Sequence, residues 1–450
     1  REELVPVRRQ EARPVGRDHA PSDPRWDNPP CRRLGMLPPR EPPRLAWVSL
    51  AAILAAMFAI SVGYGVVLPI LPFLIERLAG PLEPARLASH TGLLTGTYIL
   101  AIFVFAPLWG ALSDRWGRKP VILLGLAGFA ATVGLLAIAQ SLTMLYVGRA
   151  LSGLFAAAIT PAAYALVGDY APSKEWRAHR FAFINIAGTA GFFIGPLLGG
   201  LAVRLSGTLF GIAPDEAFST PFLAAAGLSA AATLLVLLVV PGHATREDEN
   251  LPAEASQLER RAVLRLLAVA FVTALAIGSF EVGLSLQGKS LGLDAAHIGA
   301  MFAECSLVMA IVQAIIFSPL IRPELTRWFI APGLAVLAVA LIAVPLASAS
   351  LAMTVAVALV AASAGMLSPV ATYWASLGMG TSQGATLGRM TASASLGQAI
   401  GSAAGGLLFD VPFLPAAGFL LPALVVFLAF LVSFPLPRLL MSRAEEVRQA

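Results

Sequence analysis

Gly110-Ala-Leu-Ser-Asp-Arg-Trp-Gly-Arg-Lys119 lies at the junction of two apolar runs, residues 92–113 and 119–139. Two glycines, one acidic and three basic side chains wedged between hydrophobic segments read as a short polar turn at one end of a membrane hairpin. Gly110 and Gly117 permit a tight turn and close helix approach. Asp114 can accept hydrogen bonds from a helix N-terminus or an arginine, while Arg115, Arg118 and Lys119 stay on the aqueous face.

The surroundings of that turn agree with a membrane setting. Of 450 residues, 57% are hydrophobic and 13% charged, with mean hydropathy +0.78. A soluble protein carries roughly 25% charged residues, so a water-soluble globular fold is excluded. Runs such as Leu45 to Leu74 and Pro221 to Val240 are long enough for a helix to cross about 30 Å of hydrocarbon. The net charge of +5 reflects basic residues between apolar runs, which is a matter of topology and not of nucleic-acid binding. Cys31 and Cys305 form no recognisable disulfide framework, and the five histidines show no metal-ligand spacing.

Apolar runs separated by polar breaks predict an all-α membrane protein with twelve spans, at 46–75, 92–113, 119–139, 142–168, 180–203, 220–240, 264–288, 295–319, 327–347, 350–376, 386–408 and 413–436. The polar stretch Gly242 to Arg261 divides them six plus six. The expected organisation is a disordered tail over 1–45, a six-helix half over 46–240, a cytoplasmic linker over 241–263, a second half over 264–436 and a cytoplasmic tail over 437–450. Met36, just before PPREPPR, is the expected start of translation, a point that N-terminal sequencing of the native protein tests.

The halves read as repeats. Gly125 and Gly333 end comparable loop segments 208 residues apart, and Gly195, Gly199 and Gly200 recur as Gly401, Gly405 and Gly406, 206 residues on. Duplicated halves with a site between them are a transporter architecture. With both termini cytoplasmic, the inner connections hold Arg115, Arg118, Lys119, Lys174, Arg177, Arg180, Arg246, Arg260, Arg261, Arg322 and Arg327. The outer ones hold Arg77, Arg86, Arg204 and Lys289.

In these motifs the chain resembles the major facilitator superfamily, whose loop after the second helix reads G-x-L-[SA]-D-R-x-G-R-[KR]. Gly63-Tyr-Gly65 with Pro69-Ile-Leu-Pro72 is similar to the family's first-helix motif. Leu145-Tyr-Val-Gly-Arg149 with Gly153 is similar to its intramembrane-arginine motif. Gly191-Phe-Phe-Ile-Gly195-Pro196-Leu-Leu-Gly199-Gly200 resembles the antiporter motif of drug:proton exporters. The first half looks most like tetracycline efflux proteins, with one departure. The acidic residue they carry in the first helix falls here on Ile60, which moves the coupling burden to the second half.

The resemblance implies a gating role for Gly110, Asp114, Arg115, Gly117, Arg118 and Lys119. It also implies sealing or bending at Gly191, Gly195, Pro196, Gly199 and Gly200, where a proline without a donor and glycines without side chains suit tight packing. Arg149, a charge costing roughly 3 kcal/mol or more at mid-span unless paired, is by default functional. Glu281 and Glu304 are the other intramembrane candidates for carrying a proton. The family's first, fourth, seventh and tenth helices line the cavity, which favours Glu281. Asp169, in a charged segment after the fourth span, can form a charge relay with Asp114. Among the sparse polar groups Tyr64, Tyr164, Asn185, Gln313, Tyr373 and Trp374, the candidates for substrate contact are Tyr64 and Tyr373.

The reading is a secondary transporter in the cell (plasma or inner) membrane. It exports a small lipophilic or amphiphilic organic compound against protons and works as a monomer within the lipid bilayer, with no cofactor, metal or nucleic-acid partner. Proton-coupled uptake of a small metabolite is the alternative, because direction is not encoded in these residues. A receptor or membrane enzyme is disfavoured: no catalytic constellation lies inside the spans and no P-loop is present.

Overall fold

The computed structural model describes residues 46–170, 174–211, 217–242, 260–316, 318, 321–347, 350–377, 383–411 and 414–440. The 1–45 tail with Met36, most of the 241–263 linker and residues 441–450 fall outside them.

Fourteen helices and a two-stranded ribbon, Asp410–Val411 with Leu414–Pro415, make up the described chain. The helices are α1 (Trp47–Ala79), α2 (Pro84–Trp116), α3 (Arg118–Ala137), α4 (Leu142–Ala156), α5 (Ile159–Asp169), α6 (Lys174–Phe210) and α7 (Ser219–Val239). They continue with α8 (Arg260–Ser290), α9 (Ala295–Ile316), α10 (Ile330–Leu346), α11 (Ser350–Leu377), α12 (Gln383–Leu407), α13 (Ala417–Ser433) and the short α14 (Leu436–Leu439). A 3₁₀ turn, Pro323–Phe329, leads into α10.

Among the described residues ten helical segments are long and apolar enough to cross a membrane, with α4 and α5 taken together and the 3₁₀ turn joined to α10. Helix α13 is apolar but shorter, and α12, rich in small polar residues, is not among the ten. Of the twelve expected spans, length and hydropathy thus single out ten among the described residues.

Local chemistry explains several ends. Gly117 adopts φ +94, a left-handed value that closes α2 and lets α3 start at the next residue. Ser141 caps α4 by accepting a hydrogen bond from the Met144 amide at 3.2 Å. The expected continuous fourth span is broken at Ala157 and Ala158. Pro161 has no N–H to give the carbonyl of Ala157 four residues back, so the helix restarts as α5. Helices α1 and α2 overrun the expected spans, reaching Ala79 and starting at Pro84.

Glycine contacts set the closest helix packing. On α6, a Cβ at Gly191, Gly195 or Gly199 would come within 3.0 Å of backbone atoms of Phe58, Val62 or Val66 on α1. On α12, Gly397, Gly401 and Gly405 stand in the same way against Phe271, Leu275 and Ser279 of α8. The same two helices reach across the chain: Gly200 and Pro196 of α6 meet Ala295 and Gly299 of α9, and Ser402 and Gly406 of α12 meet Ala88 and Gly92 of α2. In these contacts Ser402 stands where Pro196 does. Helix α6 runs through Pro196 as one element.

Candidate functional site

Four helices bring polar groups into one buried cluster. Tyr64 and Glu281 point at each other from α1 and α8, and the Tyr64 hydroxyl donates to Glu281 Oε2 at 2.6 Å. Gln398, on α12, donates from Nε2 to Glu281 Oε2 at 3.2 Å and to Oε1 at 3.4 Å, and lies 3.4 Å from the Tyr64 hydroxyl. Glu281 is 3% exposed. Three helices thus converge on one carboxyl group.

Arg149 reaches the same place from α4 and is 2% exposed. Its guanidinium carbon lies 4.4 Å from the Tyr98 ring centre and 5.8 Å from that of Tyr64. The two rings stack with centroids 5.1 Å apart, and Phe192 stacks on the other side of Tyr64 at 5.9 Å. Arg149 Nε donates to the Leu94 carbonyl at 3.4 Å, while Nη2 has no hydrogen-bond partner. A buried arginine is therefore held chiefly by aromatic faces, with Tyr64 standing between it and Glu281. Chemically, the cluster holds one basic group and one proton-accepting group separated by a phenol that bonds to the latter.

The other expected site residues lie elsewhere. Glu304, on α9, is half-buried and has no hydrogen bond or ion pair among the described residues. Tyr373, near the end of α11, packs edge-on against Trp374 at 5.7 Å, away from Tyr64. Tyr164 donates to Asn185 at 2.8 Å in a separate pair. Gln398 and Tyr98 were not singled out by the sequence. Gln398 sits among Thr391, Ser393, Ser395 and Ser402, and Tyr98 follows Thr95 and Thr97, so neither is set apart from its neighbours in the sequence.

At the α2–α3 loop, Arg118 donates to Asp114 Oδ1 at 2.5 Å, to Ser113 Oγ at 2.9 Å and to Asp169 Oδ2 at 3.0 Å. Arg118 thus bridges Asp114 and Asp169, which form no direct bond with each other among the described residues. Lys119 donates to the carbonyl of Leu237 at 2.9 Å, near the end of α7. Arg115 and Trp116 are exposed. Gly110 faces open space, so the close approach expected there is absent. The side chains of Lys174, Glu175 and Arg177 lie outside the described part.

At the opposite end of the bundle Lys289 of α8 forms an ion pair with Glu76 of α1 and lies 5.1 Å from the Phe73 ring centre. Ser285 donates to the Leu68 carbonyl at 3.0 Å. The joins between α1 and α8 thus continue from the Glu281 cluster to that end.

These features belong to a helical integral membrane protein with opposite charges buried between its helices. The chain matches the Major Facilitator Superfamily over residues 53–385 and belongs to that family of transporters, which are not enzymes. It is 32% identical over 271 residues to the class D tetracycline resistance protein of Salmonella ordonez, covering 58% of this chain and 64% of that protein. It is 26% identical over 288 residues to Multidrug resistance protein 1 of Bacillus subtilis (strain 168), covering 63% of this chain and 68% of that one. The chain thus spans less than two thirds of the class D relative's length.

Among solved structures, the human organic anion transporter MFSD10 (TETRAN) superposes with a TM-score of 0.64 at 20% identity, covering 86% of this chain and 99% of that one. A bacterial homologue of the human lysosomal transporter Spinster, inward-facing and occupied, gives 0.68 at 16% identity, covering 86% and 96%. Both share the fold.

Proposed function

We propose that the chain is a proton-coupled secondary transporter exporting a small lipophilic or amphiphilic organic compound, built from two repeated six-helix halves totalling twelve spans. The observation that carries this is the single carboxyl group of Glu281, bonded at once to α1 and α12 and lying one phenol ring from Arg149. Export is favoured over uptake by the tetracycline and multidrug resistance relatives. The termini are cytoplasmic and the membrane is the plasma or inner membrane, following the excess of Lys and Arg on one side.

The geometry supports the following coupling. Ionised Glu281 draws the Tyr64 hydroxyl and the Gln398 amide toward it, tying α1 in the first half to α8 and α12 in the second. A proton on Glu281 weakens these charge-assisted bonds and leaves Arg149 without a nearby anion. The join between halves loosens, and the bundle can open at the end now closed by Lys289 and Glu76. Release of the proton to the other side restores the join. Arg118, bridging Asp114 and Asp169, keeps α2, α3 and α5 together while the halves rock.

The contacts of α6 and α12 support the repeat: each packs by glycines one turn apart on the first long helix of its own half and reaches one helix of the other. Glu304 and Tyr373 remain outside the coupling scheme.

Proteoliposomes loaded with a pH-sensitive dye test the proposal, with lipophilic cations, tetracyclines and small metabolites as probes. Wild-type protein should move protons opposite to the exported compound. Glu281→Gln should leave any residual transport independent of the pH gradient, and retained dependence removes Glu281 from the role. Arg149→Ala should abolish transport while membrane expression stays normal. Tyr64→Phe keeps the ring over Arg149 but deletes the hydroxyl, so it should reduce proton-driven transport more than binding of the compound.

A further inference from the structure

Arg180, two turns into α6, has surroundings that the transport scheme does not use. Its guanidinium carbon lies 3.9 Å from the Trp47 ring centre, 4.9 Å from that of Trp176 and 5.7 Å from that of Phe183. Its Nε is buried without a hydrogen-bond partner, and among the described residues no carboxylate pairs with it. Aromatic faces hold the plane of the cation but satisfy none of its N–H donors. The fork is positioned and still has donors to give.

The position is that of a membrane interface. Arg180 heads the stripe of α6 whose exposed members include Phe183, Ile186, Leu197, Leu201 and Leu205. From Arg180 to Leu205 is about 37 Å at helical rise, against about 30 Å of hydrocarbon. Arg180 therefore stands at the level of the headgroups on the lipid-facing side. Trp47, the first residue of α1, is 65% exposed beside it, and tryptophan is enriched at that depth.

Ser49 donates to the Val239 carbonyl and Lys119 to that of Leu237, both at the close of α7. The Trp47 end thus shares its side of the membrane with the basic α2–α3 loop.

We propose that Arg180, with Trp47, Trp176 and Phe183, is a binding site for the phosphate of an anionic phospholipid. The guanidinium fork matches two phosphate oxygens, the rings pack on the glycerol and upper acyl carbons, and the apolar stripe of α6 receives the tails. A zwitterionic lipid offers the same phosphate with a neutralising ammonium and binds less well in a positive field.

The test uses the full chain in neutral detergent, examined by native mass spectrometry with phosphatidylglycerol, phosphatidylcholine or soluble glycerol 1-phosphate. A retained phosphatidylglycerol adduct is expected, stronger than that of phosphatidylcholine and about tenfold weaker in Arg180→Gln. Arg204→Gln, at the other end of α6, should leave it unchanged. Arg180→Lys keeps the charge without the fork and should give an intermediate loss, which preserves the test if the glutamine variant misfolds. Equal adducts in wild type and Arg180→Gln, or equal binding of the two lipids, overturn the proposal. Binding of glycerol 1-phosphate as strong as that of phosphatidylglycerol overturns the lipid assignment in favour of a free-phosphate site.

Discussion

In residues 46–240, α6 lays Gly191, Gly195 and Gly199 on Phe58, Val62 and Val66; in residues 264–436, α12 lays Gly397, Gly401 and Gly405 on Phe271, Leu275 and Ser279. At the loops the likeness stops. Arg118 bridges Asp114 and Asp169 in the first half, whereas at the matching place, 208 residues on, Thr326 accepts a hydrogen bond from Trp374 Nε1 at 2.9 Å. The glycine seams bring backbone against backbone, where any Cβ collides, so only glycine satisfies them, and both regions have it. In the first loop the described tie includes two ion pairs, and in the second it includes a neutral hydrogen bond between side chains. Glycine packing is thus shared by the two regions, while the described Arg118 bridge and the Thr326–Trp374 bond are different ties.

The comparison is broken most severely at the seams. Gly195→Ala and Gly401→Ala should each destabilise by about 1–3 kcal/mol through overpacking, read as a lowered melting temperature in detergent. Gly227→Ala, on α7 with open space beside it, should be neutral or slightly stabilising. A fall at one seam only would show that the halves are not packed alike.

A smaller effect separates the loops. Thr326→Ala leaves the Trp374 N–H buried without that acceptor, costing about 1–2 kcal/mol, with transport kept in proportion to folded protein. Arg118→Ala removes partly exposed ion pairs worth about 1 kcal/mol at most, yet should slow transport several-fold in the dye-loaded vesicles. If the two variants lose activity and stability in the same ratio, the loops are equivalent ties and Arg118 has no part in gating. The smallest effect belongs to Gly110→Ala, which faces open space and should change neither melting nor transport.

Much of this fold was legible in the sequence, because a helix in lipid must be apolar for about 20 residues and the chain writes that out repeatedly. The break within the fourth span follows from Pro161, but periodicity alone does not show whether a helix bends or restarts at a proline. The site was half legible. Arg149, Glu281 and Tyr64 stand out as polar groups in apolar spans. Their meeting does not, since Tyr64 and Glu281 are 217 residues apart and only the packing of α1 on α8 joins them. Gln398 looked like one more small polar residue in a helix full of them. Glu304 is the second intramembrane carboxylate, less favoured than Glu281, and its half-buried place on α9 depends on which face that helix turns to its neighbours.

The burial of Arg149 and Glu281 in one cluster has an electrical side. With both ionised, the pair carries no net charge, and the membrane potential exerts little force on it. A proton on Glu281 raises the cluster to plus one, and a unit charge crossing the whole field gains or loses about 2.3 kcal/mol per 100 mV. In the proposed cycle the loaded and empty forms would therefore respond differently to voltage, making this cluster a voltmeter as well as a proton carrier.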